Sequence, residues 1–157
     1  MFDQINGLPV HALVLHAAVV FVPLLALGAT VYALVGRWRS KIGWAVVVLA
    51  VLAPIATFVA KESGERLYDR LVAQGLKGAG KEILDDHMGY GTLTFWFSLA
   101  LGVVTLAMVA ITLRKVGTLP RGTELGLSVA MVALAAISFY YVYRTGDSGA
   151  TAVWGSY

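Results

Sequence analysis

The chain has 157 residues, 59% hydrophobic and only 13% charged, against about a quarter charged in soluble domains. Its net charge is +3, but the basic residues sit in short clusters between apolar runs, a membrane-topology pattern that argues against a nucleic-acid partner. The absence of cysteine excludes disulfides, thiolate metal sites, cysteine-ligated iron–sulfur clusters and covalent c-type haem.

The N-terminal stretch Met1-Phe2-Asp3-Gln4-Ile5-Asn6 has no basic lead and no cleavage site after a short apolar core. The first apolar run is therefore expected to be a retained spanning helix. Its entrance, Gly7 to His16, carries two of the three histidines, His11 and His16. An imidazole in an apolar segment needs a partner, because an unpaired buried polar group costs about 2–7 kcal/mol.

Four apolar runs are long enough to cross a bilayer core, which takes about 20 residues. The predicted helices cover about 8–35, 42–60, 82–113 and 124–144. Pro23 and Pro54 lie inside the first two and predict kinks. Between the second and third runs, about 62–74 is predicted as an amphipathic helix lying on the outer interface. Leu67, Leu71 and Val72 recur there at helical spacing against charged neighbours. Gly75, Gly78 and Gly80 break it. Lys81 to His87 begins the third helix above the membrane, with acidic residues suited to the helix dipole. After Arg144, the glycines Gly146, Gly149 and Gly155 predict a turn-rich tail that folds back over the bundle. No internal repeat at a fixed period is evident.

The short connections make an all-α integral membrane protein, an antiparallel four-helix transmembrane bundle in a single domain, 1–157. Arg37, Arg39 and Lys41, and Arg114, Lys115 and Arg121, are expected on the cytoplasmic side. Both termini are then expected to be extracytoplasmic, in a multi-pass membrane protein. Trp38 and Trp44 suit the inner interface, and Tyr140, Tyr141, Tyr143 and Trp154 the outer one.

On this topology His11, His16 and His87 converge at one end with the tail. On the third helix His87, Gly91, Thr94, Ser98, Gly102 and Thr105 share a narrow, small and polar face. That face serves either close helix packing or room for a flat cofactor. His11 and His16 are five residues apart, about 140° around a helix, so they form no i, i+4 metal pair. A three-histidine zinc or copper site requires His11 to lie in a non-helical lead-in. The alternative is that His16 and His87 ligate one haem iron from opposite sides, with His11, Gly91, Arg144 and Asp147 around the cofactor. The plain alternative is a structural hydrogen bond for each ring. Arg144 and Asp147 are natural salt-bridge partners, or Arg144 holds an anionic group such as a haem propionate or lipid headgroup.

The entrance Gly7-Leu8-Pro9-Val10-His11 through His16, then His87 with Gly91, and Gly146-Asp147-Ser148-Gly149-Ala150 through Trp154 carry a resemblance over nearly the whole chain. It resembles the prokaryotic membrane family known as domain of unknown function 2231. Many relatives have a proline after the first histidine and Phe-Pro after the second, where this chain has Ala12, Ala17 and Ala18. The resemblance implies four transmembrane helices and a shared histidine-bearing outer site, without an activity. Some members look joined to Rieske-type domains, which favours a redox role by analogy.

Three functions follow. The first is a redox, electron-transfer-associated protein binding one haem b or a quinone. The second is a non-catalytic membrane subunit or assembly factor with structural histidines. The third is a metal-ion binding protein, disfavoured by the lack of an acidic residue in any helix core. No catalytic residue is assigned: Ser63 and Ser148 are not in a G-x-S-x-G elbow, and no phosphate loop is present. The bilayer is the expected partner, together with a redox membrane complex or a second copy of the chain.

Overall fold

The computed structural model describes residues 4–5, 8–114 and 120–155. Gly7 of the entrance and Lys115 of the second basic cluster lie outside them. A two-residue strand β1 (Gln4–Ile5) pairs antiparallel with β2 (Leu8–Pro9). Four helices follow: α1 (Val10–Leu34), α2 (Arg39–Ala73), α3 (Ala79–Arg114) and α4 (Arg121–Trp154). They form an up-down-up-down bundle in which each helix packs mainly on its two ring neighbours. All four are long and apolar enough to cross a membrane.

The predicted spans are present, and three of them run further than their apolar stretches. The expected amphipathic segment is helical and continues α2 without a break, through Gly64. The tail is helical as well. Gly146 and Gly149 are interior residues of α4, and Trp154 ends it. At 1.5 Å per residue, helices of 34–36 residues are about 50 Å long, whereas the hydrocarbon core is about 30 Å thick. The surplus lies at the histidine end. Lys61 on α2, Asp86 on α3 and Arg144 on α4 are the first charged residues past the apolar runs there. Beyond them α2, α3 and α4 form a three-helix headpiece. The α2–α3 turn closes it, with Gly75 and Gly78 at φ of 97° and 65°, conformations that favour glycine. Tyr68 donates to Asp85, which also binds Lys81 at 2.7 Å, so the headpiece helices are cross-tied.

Inside the bundle many side chains are small, around a few large ones such as Leu25, Tyr32, Leu101, Met108 and Met131, and many large apolar residues face out. Ala26, Ala29, Ala50, Ala53 and Ala135 are buried, while Leu27, Leu34 and Val103 are more than half exposed. That is the arrangement of helices associating in lipid, where small residues let backbones approach. Gly102 shows how closely: a Cβ there would stand 2.6 Å from the Ala50 carbonyl oxygen. Buried hydroxyls pair across helices, Thr57 with Ser98 at 3.0 Å and Thr94 with Thr145 at 2.9 Å. At the opposite end Arg39 closes the bundle. It donates to the Tyr32 and Ala33 carbonyls, capping α1, and reaches Glu124 of α4 at 2.7 Å.

The two hairpins repeat one another. Buried Ala18, Val22, Leu25, Ala26, Ala29, Tyr32 and Ala33 of α1 have the same spacing as buried Thr94, Ser98, Leu101, Gly102, Thr105, Met108 and Val109 of α3. Val46, Ala50, Ala53 and Thr57 of α2 match Met131, Ala135, Ser138 and Val142 of α4. This is the burial pattern of a parallel repeat about an axis along the bundle. It has no single period, because the second hairpin is longer at its turn and shifts α4 further along the chain than α3.

Gly102→Leu overpacks the α2–α3 contact and is expected to destabilise the bundle by about 1–3 kcal/mol in unfolding titrations in detergent. Gly89→Leu, where an added Cβ meets nothing within 4 Å, is expected to leave stability unchanged.

Candidate functional site

The repeat places His11 near the start of α1 and His87 in the same relation to α3. Each ring is seated on the even helix of its own hairpin, and the two seats have the same parts. His11 Nδ1 lies 2.9 Å from the Ala60 carbonyl oxygen and 3.5 Å from Ser63 Oγ. His87 Nδ1 lies 3.0 Å from the Thr145 carbonyl oxygen and 3.1 Å from Ser148 Oγ. Each serine donates its own proton back into its helix, Ser63 to Val59 and Ala60, Ser148 to Arg144 and Thr145. The residue after each serine is glycine, and the ring occupies the room this leaves. A Cβ on Gly64 would stand 3.1 Å from His11 Cε1, and one on Gly149 would stand 2.9 Å from His87 Cε1.

These contacts settle the tautomers. A carbonyl oxygen only accepts, so Nδ1 carries the proton in each neutral ring and Nε2 keeps a lone pair. The two rings meet nearly perpendicular, at 88°, with centres 6.1 Å apart. Both line a chamber of about 680 Å³ with mostly apolar walls. The chamber exists because the repeat is incomplete at this end. α3 runs about two turns beyond His87, whereas α1 begins one residue before His11. The headpiece therefore stands over a gap, rimmed by Tyr68, Leu71 and Trp154.

His16 also lines this chamber. Its Nδ1 bonds the Ala12 carbonyl of its own helix at 3.0 Å, and the ring is exposed. The expected pairing is His16 with His87; the rings that stand edge to face are His11 and His87, while His16 keeps its bond within α1. His11 is helical, and among the described residues no three His, Asp or Glu side chains gather as a metal-binding group. Gly91 lines the chamber beside His87. Thr94 lines its floor, and Ser98, Gly102 and Thr105 of the same face are buried in helix contacts below, so the stripe serves the site at its top and packing further down.

Arg144 stands outside the chamber. It directs its guanidinium to the hydroxyls of Tyr90 and Tyr140 and covers the Tyr90 ring at 4.6 Å. Asp147 lies instead on an adjoining groove between α1 and α4. Ser63, Gly64, Ser148 and Gly149 are the site residues that sequence reading leaves without a role in binding. Their signal is a repeated Ser-Gly pair, each in a helix beside a helix that carries a histidine.

Gly64→Ala is expected to unseat His11 alone and Gly149→Ala to unseat His87 alone. The check is the ¹⁵N shifts of the imidazoles, in which the Nδ1–H tautomer signature is lost for the affected ring and kept for the other.

Comparison with curated proteins and with solved structures returned no match at either level. The model of a family described as predicted membrane proteins, domain of unknown function 2231, matches residues 7–156. That span includes all four helices, both histidine seats and the headpiece, and the chain belongs to this family.

Proposed function

We propose that this membrane protein holds one haem b between His11 and His87 and takes part in electron transfer. The observation that supports it is the pair of matching seats. Imidazoles that ligate metals through Nε2 almost always donate Nδ1–H to a carbonyl or carboxylate, which fixes the ring and raises its basicity. Here both rings do so. Two imidazoles sharing one metal, with metal–nitrogen bonds of about 2.0 Å on each side, have ring centres about 6 Å apart, and the observed separation is 6.1 Å. Matched donors from a repeat favour a group that offers the same chemistry to both sides, and His11 and His87 are the residues that would hold it.

The chamber volume, about 680 Å³, falls in the range of small-molecule and cofactor sites, about 300–1,000 Å³. His11 and His87 would hold the iron, Gly91 would leave room beside the macrocycle, and Leu15, Leu67 and Leu84 would exclude water from its faces. Haem bound in this way supplies one-electron transfer at a potential set by axial ligands and burial. Ser63 and Ser148 share the Nδ1–H protons with the helix carbonyls and so keep both rings from rotating.

The positive-inside rule favours an extracytoplasmic histidine end. Arg37, Arg39, Lys41 and Arg114 cluster at the opposite end, so the headpiece would face a redox partner outside the cytoplasm.

Titration of the purified protein with haem is expected to give one equivalent with a low-spin bis-imidazole spectrum. His11→Ala and His87→Ala should each abolish it, and His16→Ala should retain it. A preparation that acquires no Soret band, or in which His11→Ala is silent, would sink the proposal. For orientation, the cysteine-free chain allows single cysteines to be read directly. Lys77→Cys should react with an impermeant maleimide added to intact cells, and Arg37→Cys only after lysis.

A further inference from the structure

The adjoining groove shares four residues with the chamber: Val19, Val142, Gly146 and Ala150. It has a volume of about 420 Å³ and runs between α1 and α4 past Pro23, Phe139 and Tyr143. Pro23, Phe139 and Tyr143 belong to the apolar runs, so that part of the groove opens along the bilayer-facing side of the bundle, while Gly146, Asp147 and Ala150 line its upper end in the headpiece. His16, Val19 and Pro23 are spaced i, i+3, i+7, one stripe of α1. His16 therefore stands where groove and chamber join.

His16 is also where the repeat is broken. By the register that pairs Ala18 with Thr94, its counterpart on α3 is Thr92, whose hydroxyl is satisfied by the Met88 carbonyl. His16 spends its Nδ1–H on Ala12 and retains an Nε2 lone pair. That lone pair lies about 7 Å deeper than His11 along the helix, beside Leu15, Val19 and Val20. A bare acceptor at the edge of an apolar slab is costly unless a donor reaches it, and a lipid-soluble donor is one that the groove can deliver to it.

We infer that the groove and its junction with the chamber at His16 bind a tailed hydroquinone, its ring hydroxyl donating to His16 Nε2 and its hydrocarbon tail lying in the α1–α4 groove. The small residues Gly146 and Ala150 leave the passage between the two open. The acceptor-only nitrogen also sets the redox preference. A hydroquinone presents O–H to the lone pair, whereas the oxidised quinone presents a carbonyl oxygen that cannot bond to it. The site therefore prefers the reduced form. This inference does not depend on the haem between His11 and His87.

The test is equilibrium binding of a radiolabelled decyl-benzohydroquinone to the full chain in phosphatidylcholine nanodiscs under anaerobic conditions, with protein-free nanodiscs as the partition control. One saturable site per chain is expected, with the oxidised quinone binding more weakly. His16→Phe keeps the apolar volume and removes the acceptor, and should weaken binding about tenfold, the loss of one good hydrogen bond. Gly146→Leu should weaken it at least as much; an added Cβ there meets nothing within 4 Å, so the variant folds with its side chain in the groove. The measurement is made on haem-free protein, so loss of hydroquinone binding and failure to take up haem are separate outcomes and the two readings fail separately. No saturable binding, equal affinity for both redox forms, or parental affinity in His16→Phe would each overturn the inference.

Discussion

The histidine end depends on an imidazole reaching the backbone of a neighbouring helix. Helix carbonyls are normally shielded by the side chains one turn on. Here the shield is removed, since Gly64 and Gly149 lack the Cβ that would collide with the rings. Each ring then binds a carbonyl that already serves its own helix, and a serine hydroxyl braces it. The consequence is chemical as much as structural. With Nδ1 committed as a donor, both Nε2 atoms become acceptors, and a neutral pair of lone pairs faces the chamber.

The rest of the bundle keeps that pair in register. Lipid supplies no hydrophobic drive between helices, so approach distance decides how well they associate. Alanines inside, Gly102 against the Ala50 carbonyl, and two cross-helix hydroxyl pairs hold the helices close. Arg39 does the same at the opposite end by capping α1 and binding α4. Two hairpins with one burial pattern then present two histidines at one level. Where the pattern lapses, at the short start of α1 and at His16, the chamber and its side groove appear.

Composition and hydropathy made the four spans legible, because the need to satisfy every backbone group in lipid admits few alternatives to helices. The basic clusters and the third-helix stripe were legible for similar reasons of period and charge. The repeat was not. Its equivalent positions hold different residues, such as Ala18 and Thr94 or Ala53 and Ser138, and share only burial. The tail was expected to turn because glycines signal a break in solution, yet Gly146 and Gly149 lie inside α4. Gly149, like Gly64 in α2, makes room for a ring inside an unbroken helix.

The sequence by itself therefore determined the solvent, the number of spans and the end at which the polar chemistry collects. Those properties follow from hydropathy and charge, which act locally and can be counted along a chain. Only the tertiary structure decided which two histidines meet, which nitrogen each keeps free, and where the cavity lies. Those depend on distances between helices, and a contact such as His87 to Thr145 spans 58 residues of chain. The spacing of His11 and His16 said that they point apart. That His11 turns inward to His87 while His16 stays at the groove was settled by how α1 rotates against α2 and α4.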